Sequence, residues 1–319
     1  MTIYGTLGGQ DSTTTGYPSI RPTLDLNFAA TKVLDPRVTF YRNSLATYVD
    51  SQGIIRTVFA HVPRFDHDPT TGESLGLLME ESRTNLIISS SIFNTGGWTQ
   101  DGISITNNAA VAPDGTTTAT SIVQGTGNSR TFHFDNNGAG NKIFTIFAKS
   151  NAGSTLLIGG NAGYGTNSAA SVTLNTSNGT ATTATGITSV LFPNGWYRFT
   201  IPVYIGAGSG NSNYISIYGS TNSVYIWGAQ LESNSFPTSY IPTTTSIVNR
   251  NADTAYMSGT NLTSWYNTLE STMFIQSRNA YNSSAFSHAG SGIELHSGSG
   301  VFQSQMRSFI LSSWTIRNL

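Results

Sequence analysis

The chain has 319 residues, 38% of them hydrophobic and 10% charged, with a formal net charge of −1 and no cysteine. An ordinary soluble domain carries about 25% charged residues, so this surface is built from hydroxyl and amide groups, with lysine only at Lys32, Lys142 and Lys149. No basic run exists to displace counterions from phosphates, which argues against nucleic-acid binding, and no apolar run nears the roughly 18 residues that cross a bilayer as a helix. Without cysteine, disulfides, zinc thiolates and catalytic thiols are excluded, and stability has to come from burial and association. The opening MTIYGTLGGQDSTTTGYP lacks the basic and apolar regions of a signal peptide, so the expected origin is a cytoplasm that the protein leaves, if at all, by lysis.

In chain order, residues 1–23 are rich in Gly, Ser and Thr, with Pro18 and Pro22, and read as an extended N-terminal arm. Residues 24–85 read as a β-meander. Leu24 to Phe28, Val38 to Tyr41, Ala46 to Val49 and Ile54 to Val58 alternate like strands, with a hairpin about Gln52 and Gly53. The densest charge in the chain follows, from Arg56 to Arg83, and any site for chemistry is expected there. Asp66, Asp68 and Glu73 offer oxygen ligands that could hold a structural calcium, although their spacing does not match an EF-hand loop. Asp68-Pro69-Thr70-Thr71-Gly72 reads equally as a turn, with aspartate capping backbone amides. Glu80 and Glu81 raise glycoside hydrolysis, which needs two carboxyls flanking one sugar bond. Neighbours on a strand face opposite ways, so these two cannot share a substrate.

Residues 86–245 read as one jelly-roll domain. Predicted strands are Ile103 to Thr106, Thr118 to Val123, Arg130 to Phe134, Lys142 to Ala148, Thr155 to Ile158, Ala170 to Leu174, Trp196 to Ile205, Tyr214 to Tyr218 and Val224 to Gln230. Turn formers such as Pro113-Asp114-Gly115 and Asn178-Gly179 separate them. Many short strands so punctuated, without a convincing helix, define an all-β, antiparallel β-sandwich or jelly roll. The Lys142 to Ala148 strand is apolar on both faces and therefore central. From Val224 the alternation places Val224, Ile226, Gly228 and Gln230 on one side and Tyr225, Trp227, Ala229 and Leu231 on the other. Phe236-Pro237 and Ile241-Pro242 then force an extended ribbon lying over the fold.

Sugar binding needs aromatic faces beside amide and hydroxyl partners. Tyr164, in the Gly-rich stretch GGNAGYGTNS, is the leading candidate on an exposed loop, with Asn161 and Asn167 as hydrogen-bonding partners. Tyr214, Tyr218 and Tyr225 either line a sandwich face or pack in the core. Residues 246–319 form a C-terminal β segment, with a strand from Ser271 to Ile275. This tail is a half-sheet completed by the N-terminal meander, one completed by a neighbouring subunit, or an incomplete sandwich. Pairing of exposed edges between subunits points to a homo-oligomer.

WGAQLESNSFPTSYIPT from Trp227 to Thr243, followed by Asn249-Arg250-Asn251-Ala252-Asp253, resembles a segment of phage virion proteins of the fibre or decoration type with a lectin-like β-sandwich. RFDHDPTTGESLGLLMEESRTNL from Arg64, APDGTTTAT from Ala112 and NGWYRFTIPV from Asn194 resemble the same family. The resemblance implies a non-enzymatic part of the phage particle surface: a tail-fibre or appendage subunit, trimeric, that attaches to other virion proteins through its arm and binds host glycans passively. A capsid decoration or head-fibre protein is the alternative, and a glycan-cleaving tailspike a third. It further implies that EESRTNL is a structural joint, with Arg83 paired to a carboxylate at the start of the next domain, and that Trp196 and Trp227 are core residues.

Overall fold

The fold comes from a computed structural model that describes residues 23–135, 137–150, 154–167, 169–206, 214–266, 272–279 and 309–317. It is nearly all β. One curled antiparallel sheet of 12 strands dominates. Its main path runs Trp98–Asp101, Arg130–Phe134, Tyr214–Tyr218, Thr155–Tyr164, Trp196–Ile205, Gly140–Ser150, Val224–Glu232, Ala119–Val123 and Ser104–Ala110. Ala169–Asn175, Ala181–Thr182 and Thr188–Phe192 join it as side strands.

The curl encloses a core in which Phe144, Ile146, Ile158, Phe199, Ile217 and Ile226 meet. Gly140–Ser150 lies between Trp196–Ile205 and Val224–Glu232, as its two apolar faces require. Phe144 and Ile146 enter the main core, while Phe147 points the other way into a second cluster with Trp196, Trp227 and Tyr240. Both tryptophans are therefore core residues.

Val224–Glu232 departs from strict alternation. Its register against Gly140–Ser150 passes from Thr145 opposite Gln230 to Phe147 opposite Trp227, one residue more on the later strand. The extra residue is accommodated in a bulge at Gly228, whose φ is +64°. A Cβ there would stand 2.9 Å from the Phe147 ring, so glycine serves both the backbone and the packing. Ala229 and Leu231 consequently change sides and share the main core with Val224 and Ile226, while Trp227 stays with Tyr225 on the side of the second cluster.

The ribbon after Glu232 does lie over the sheet, held by buried polar side chains. Gln230 Oε1 accepts from Ile241 N at 2.6 Å, and Glu232 accepts from Thr238 N at 3.0 Å. Asn85 Nδ2 donates to Ile241 O at 2.9 Å, and Arg198 Nη2 donates to Thr238 O at 2.8 Å. These groups satisfy a backbone that has no ladder of its own.

In the N-terminal part, Ala46–Val49 pairs with Ile55–Val58 around the expected turn, where Asp50 Oδ1 caps the amides of Gln52 and Ile54. Phe65–His67 forms a second hairpin with Ser74–Met79. The other strands pair across the chain rather than as a meander: Thr39–Tyr41 with Thr254–Tyr256, and Arg83–Asn85 with Val248–Arg250. Leu24–Leu26 pairs with Phe309–Arg317, which also pairs with Ser74–Met79 and Thr272–Asn279. The described C-terminal strands thus share a sheet with N-terminal strands of the same chain. Phe28 leaves its strand for a helical turn, Phe28–Thr31, because Asn27 caps Ala30 N at 3.0 Å. The expected arm, apart from Thr23, lies outside the described residues.

Candidate functional site

The charge-dense stretch is sealed at its centre. Arg42, Arg64, Arg250, Glu80 and Asp253 are all buried. Arg42 meets Asp253 at 3.0 Å, and Arg64 meets Glu80 at 2.7 Å and Asp253 in a shorter contact. Arg250 stands 3.2 Å from Glu80. Ser239, on the ribbon, donates its N–H and hydroxyl to Glu80 at 2.7 and 2.6 Å, and Arg64 also donates to Thr47 O at 2.8 Å. The cluster therefore ties the first hairpin, the joint at Glu80, the ribbon and the NRNAD segment into one knot. Burial alone would depress the Arg64 pKa, and the Glu80 and Asp253 charges more than reverse it.

Glu80 and Glu81 face different surroundings: Glu80 is in the knot, and half-buried Glu81 pairs with Arg83. The carboxylate that Arg83 meets is therefore a near neighbour rather than one at the start of the next domain. An extended chain puts residues two apart on one side, and the guanidinium also stacks 4.6 Å over the Phe236 ring.

Asp66, Asp68 and Glu73 do not converge, and the described residues contain no group of three acidic or histidine side chains placed to hold a metal. Asp66 Oδ1 accepts from Val49 N at 2.7 Å. Asp68 Oδ1 caps Thr70 N and Thr71 N at 2.8 and 2.9 Å, which is the turn reading, and Glu73 is exposed. Burial raises Asp66 from 3.8 to about 7, while Glu80 is lowered from 4.5 to about 2, where Arg250, Arg64 and Ser239 outweigh the cost of burial.

These two shifts act in opposite pH windows. Between about pH 4 and 7 the native state holds a proton on Asp66 that the unfolded chain releases, so stability falls as pH rises. Glu232, raised by burial, adds to this slope. Below the unfolded value of 4.5, Glu80 must be protonated on unfolding, so stability falls as pH drops toward 2. Maximum stability is expected near pH 4 to 5. Asp66→Asn should flatten the upper limb by at most about 4 kcal/mol, reduced by the residue's partial solvent contact. Urea midpoints from pH 4 to 8 measure this, and an unchanged slope in the variant refutes the assignment.

Tyr164 ends the strand Thr155–Tyr164 and is fully buried in the main core, its hydroxyl donating to Gly159 O. It does not stand on an exposed loop, and its ring offers no face to a sugar. The expectation fails because the glycines around it belong to a strand carrying a register shift between Gly159 and Tyr164. Asn161 and Asn167 are exposed, Asn161 on that strand and Asn167 in the turn after it.

An aromatic face lies instead on the outside of the sheet. Residues paired across antiparallel strands share a face, and Arg130 pairs with Tyr218, Phe132 with Ser216, and Phe134 with Tyr214. Alternation turns Thr131, His133, Ile215 and Ile217 inward, leaving Arg130, Phe132, Phe134, Tyr214 and Tyr218 half-buried on the outer side. Phe132 lies 5.3 Å from Phe134 and 5.4 Å from Tyr214, ring centre to ring centre. The Arg130 guanidinium is 4.9 Å from the Phe132 ring and 5.2 Å from that of Tyr214. Tyr218 leans over Gly159, where a Cβ would come within 3.1 Å of its ring. Thr99 and Asp101 extend the face on one side through their pairing with Phe132 and Arg130. On the other, Asn161 follows Gly160, which pairs with Ile215 beside Tyr214. Tyr225 is not part of it and packs against the second cluster. The sequence does carry the signal for this face: in RTFHF, Arg130, Phe132 and Phe134 fall at a period of two.

The molecule is thus an all-β sandwich-like protein with a sealed ionic knot and an aromatic outer face. No family model matches the chain, and no curated protein matches it.

Proposed function

We propose that the protein is a passive virion component, a phage tail-fibre or related appendage subunit, that holds host-surface glycans against the face of Phe132, Phe134, Tyr214 and Tyr218. The observation that carries this reading is the clustering of half-buried rings on the outer side of a sheet whose inner side packs the main core. Apolar groups clustered on an outer face mark interaction sites. Rings stack on the apolar face of a pyranose, and Thr99, Asn161 and the tyrosine hydroxyls supply neutral hydrogen bonds around it. Glu80, on which a hydrolytic reading would rest, is buried with its oxygens occupied, which favours binding over cleavage. Weak sites summed over identical subunits, a trimer in a fibre, gain about 10² to 10⁴ in avidity.

The test is a glycan array with the wild-type protein and the Phe132→Ala/Tyr214→Ala double variant. Wild-type binding that falls at least about tenfold in a folded variant supports the reading, since each lost stacking contact is worth about 1 kcal/mol. Absence of wild-type binding, or binding indifferent to the double substitution, overturns it. Cryo-electron microscopy of intact particles tests the location. Copies in threefold or sixfold arrays on the tail support an appendage, and copies spread over the icosahedral shell refute it.

A further inference from the structure

We infer that the aromatic face selects acidic sugars, with Arg130 as the specificity-determining residue for a sugar carboxylate. This rests on the glycan-binding reading above and adds the class of ligand. Among the described residues, Arg130 differs from the part-exposed Arg37 and Arg56. Arg37 and Arg56 are closed by Asp35 and Asp50 at 2.7 Å, whereas the nearest carboxylate oxygen to Arg130, on Asp101, is 3.5 Å from Nε and outside hydrogen-bond geometry. Asp101 is engaged elsewhere, accepting from Asn128 Nδ2 at 2.6 Å.

The guanidinium is held by rings. It stacks against Phe132 and Tyr214, and its Nη1 donates to the Tyr214 hydroxyl at 3.3 Å. Stacking fixes the plane of the guanidinium, and because Nε is buried the edge it would offer a ligand is that of Nη1 and Nη2. Its side chain is 20% exposed, which leaves part of the guanidinium open beside the rings on which a pyranose would rest. A carboxylate is an exocyclic group at the ring's rim, and a planar fork of N–H donors matches its two oxygens. A neutral hexose has no group that uses the fork as fully. Asp101 then acts as a placeholder that weakly neutralises Arg130 and gives way to the ligand. The chain's low charge leaves little to repel an acidic polymer.

The probes are uronic- and sialic-acid-bearing glycans with their carboxyl-reduced counterparts, titrated by calorimetry against wild-type, Arg130→Gln and Phe132→Ala proteins. The wild type should prefer the acidic member of each pair by about tenfold, the scale of one charge-assisted hydrogen-bonded contact. Arg130→Gln should erase that preference, and Phe132→Ala should weaken binding of both members of each pair. Arg130→Lys, which keeps the charge but not the planar fork, should retain only part of the preference and shows that the geometry matters. Equal or tighter binding of the neutral members, or a preference that survives Arg130→Gln, overturns the inference and leaves the glycan-binding reading standing. Failure of the wild type to bind any glycan, acidic or neutral, overturns both.

Discussion

Asp253→Ala should lower the free energy of unfolding by about 3–5 kcal/mol, the cost of leaving buried charge without its partner. Asp253 is bonded to Arg42 and Arg64, and its Oδ2 also accepts from Glu80 N at 2.8 Å. Removing it leaves three buried guanidiniums, those of Arg42, Arg64 and Arg250, around Glu80 alone. Urea denaturation measures the loss. Asp35→Ala is the control: its pair with Arg37 is part-exposed, and its removal should cost no more than about 1 kcal/mol. If Asp253→Ala costs as little as the control, the knot does not hold the segments together in solution.

The effect should exceed that of an ordinary core deletion in one further respect. Asp253 is joined to residues 173 to 211 positions away in the chain. Its loss should loosen the ribbon and the first hairpin together, which hydrogen exchange at Thr47 and Ser239 would register as a shared loss of protection.

Tyr164→Ala should cost a similar 3–5 kcal/mol, since it empties a large volume from the main core. Tyr164→Phe, which removes only the hydroxyl bonded to Gly159 O, should cost about 1 kcal/mol and leave glycan binding unchanged. Thermal or urea unfolding combined with the glycan array separates the two roles that this residue could have. An alanine variant as stable as the wild type that no longer binds glycan would return Tyr164 to the binding face. The structure argues for the opposite outcome because the ring is surrounded by the apolar side chains of the core.

Much of the sandwich is legible from alternation alone. Arg130–Phe134, Trp196–Ile205 and Tyr214–Tyr218 have the predicted bounds; the first alternates cleanly between a buried and an outer side, and the other two are apolar runs between turn formers. Trp98–Asp101 and Thr188–Phe192 are not predicted. Both lie at edges of the sheet, where one unpaired side leaves a weaker pattern. The face assignment in Val224–Glu232 fails after Gly228, since one inserted residue exchanges the two sides and nothing in the composition of VYIWGAQLE announces a bulge.

The sites divide in the same way. The turn at Asp68 is local chemistry, and its capping follows from Asp, Pro and Gly in order. The rings of the aromatic face are also written locally, as alternation in two strands, but that they are neighbours depends on Arg130–Phe134 pairing with Tyr214–Tyr218, some 80 residues apart in the chain. Tyr164 misleads because a Gly-rich stretch reads as a loop wherever sheet pairing is unknown.

The sequence by itself determined that this protein is all-β, neutral, free of cysteine chemistry and built around a strand with two apolar faces, because composition and the period of two are properties of neighbouring residues. That the centre of the most charged stretch is a buried knot, that the described C-terminal strands pair with N-terminal ones, and which side of the sheet carries the half-buried rings are decided by tertiary contacts. Those outcomes depend on strand register and on ion pairs between residues up to 211 positions apart, and such contacts leave no local periodicity to read.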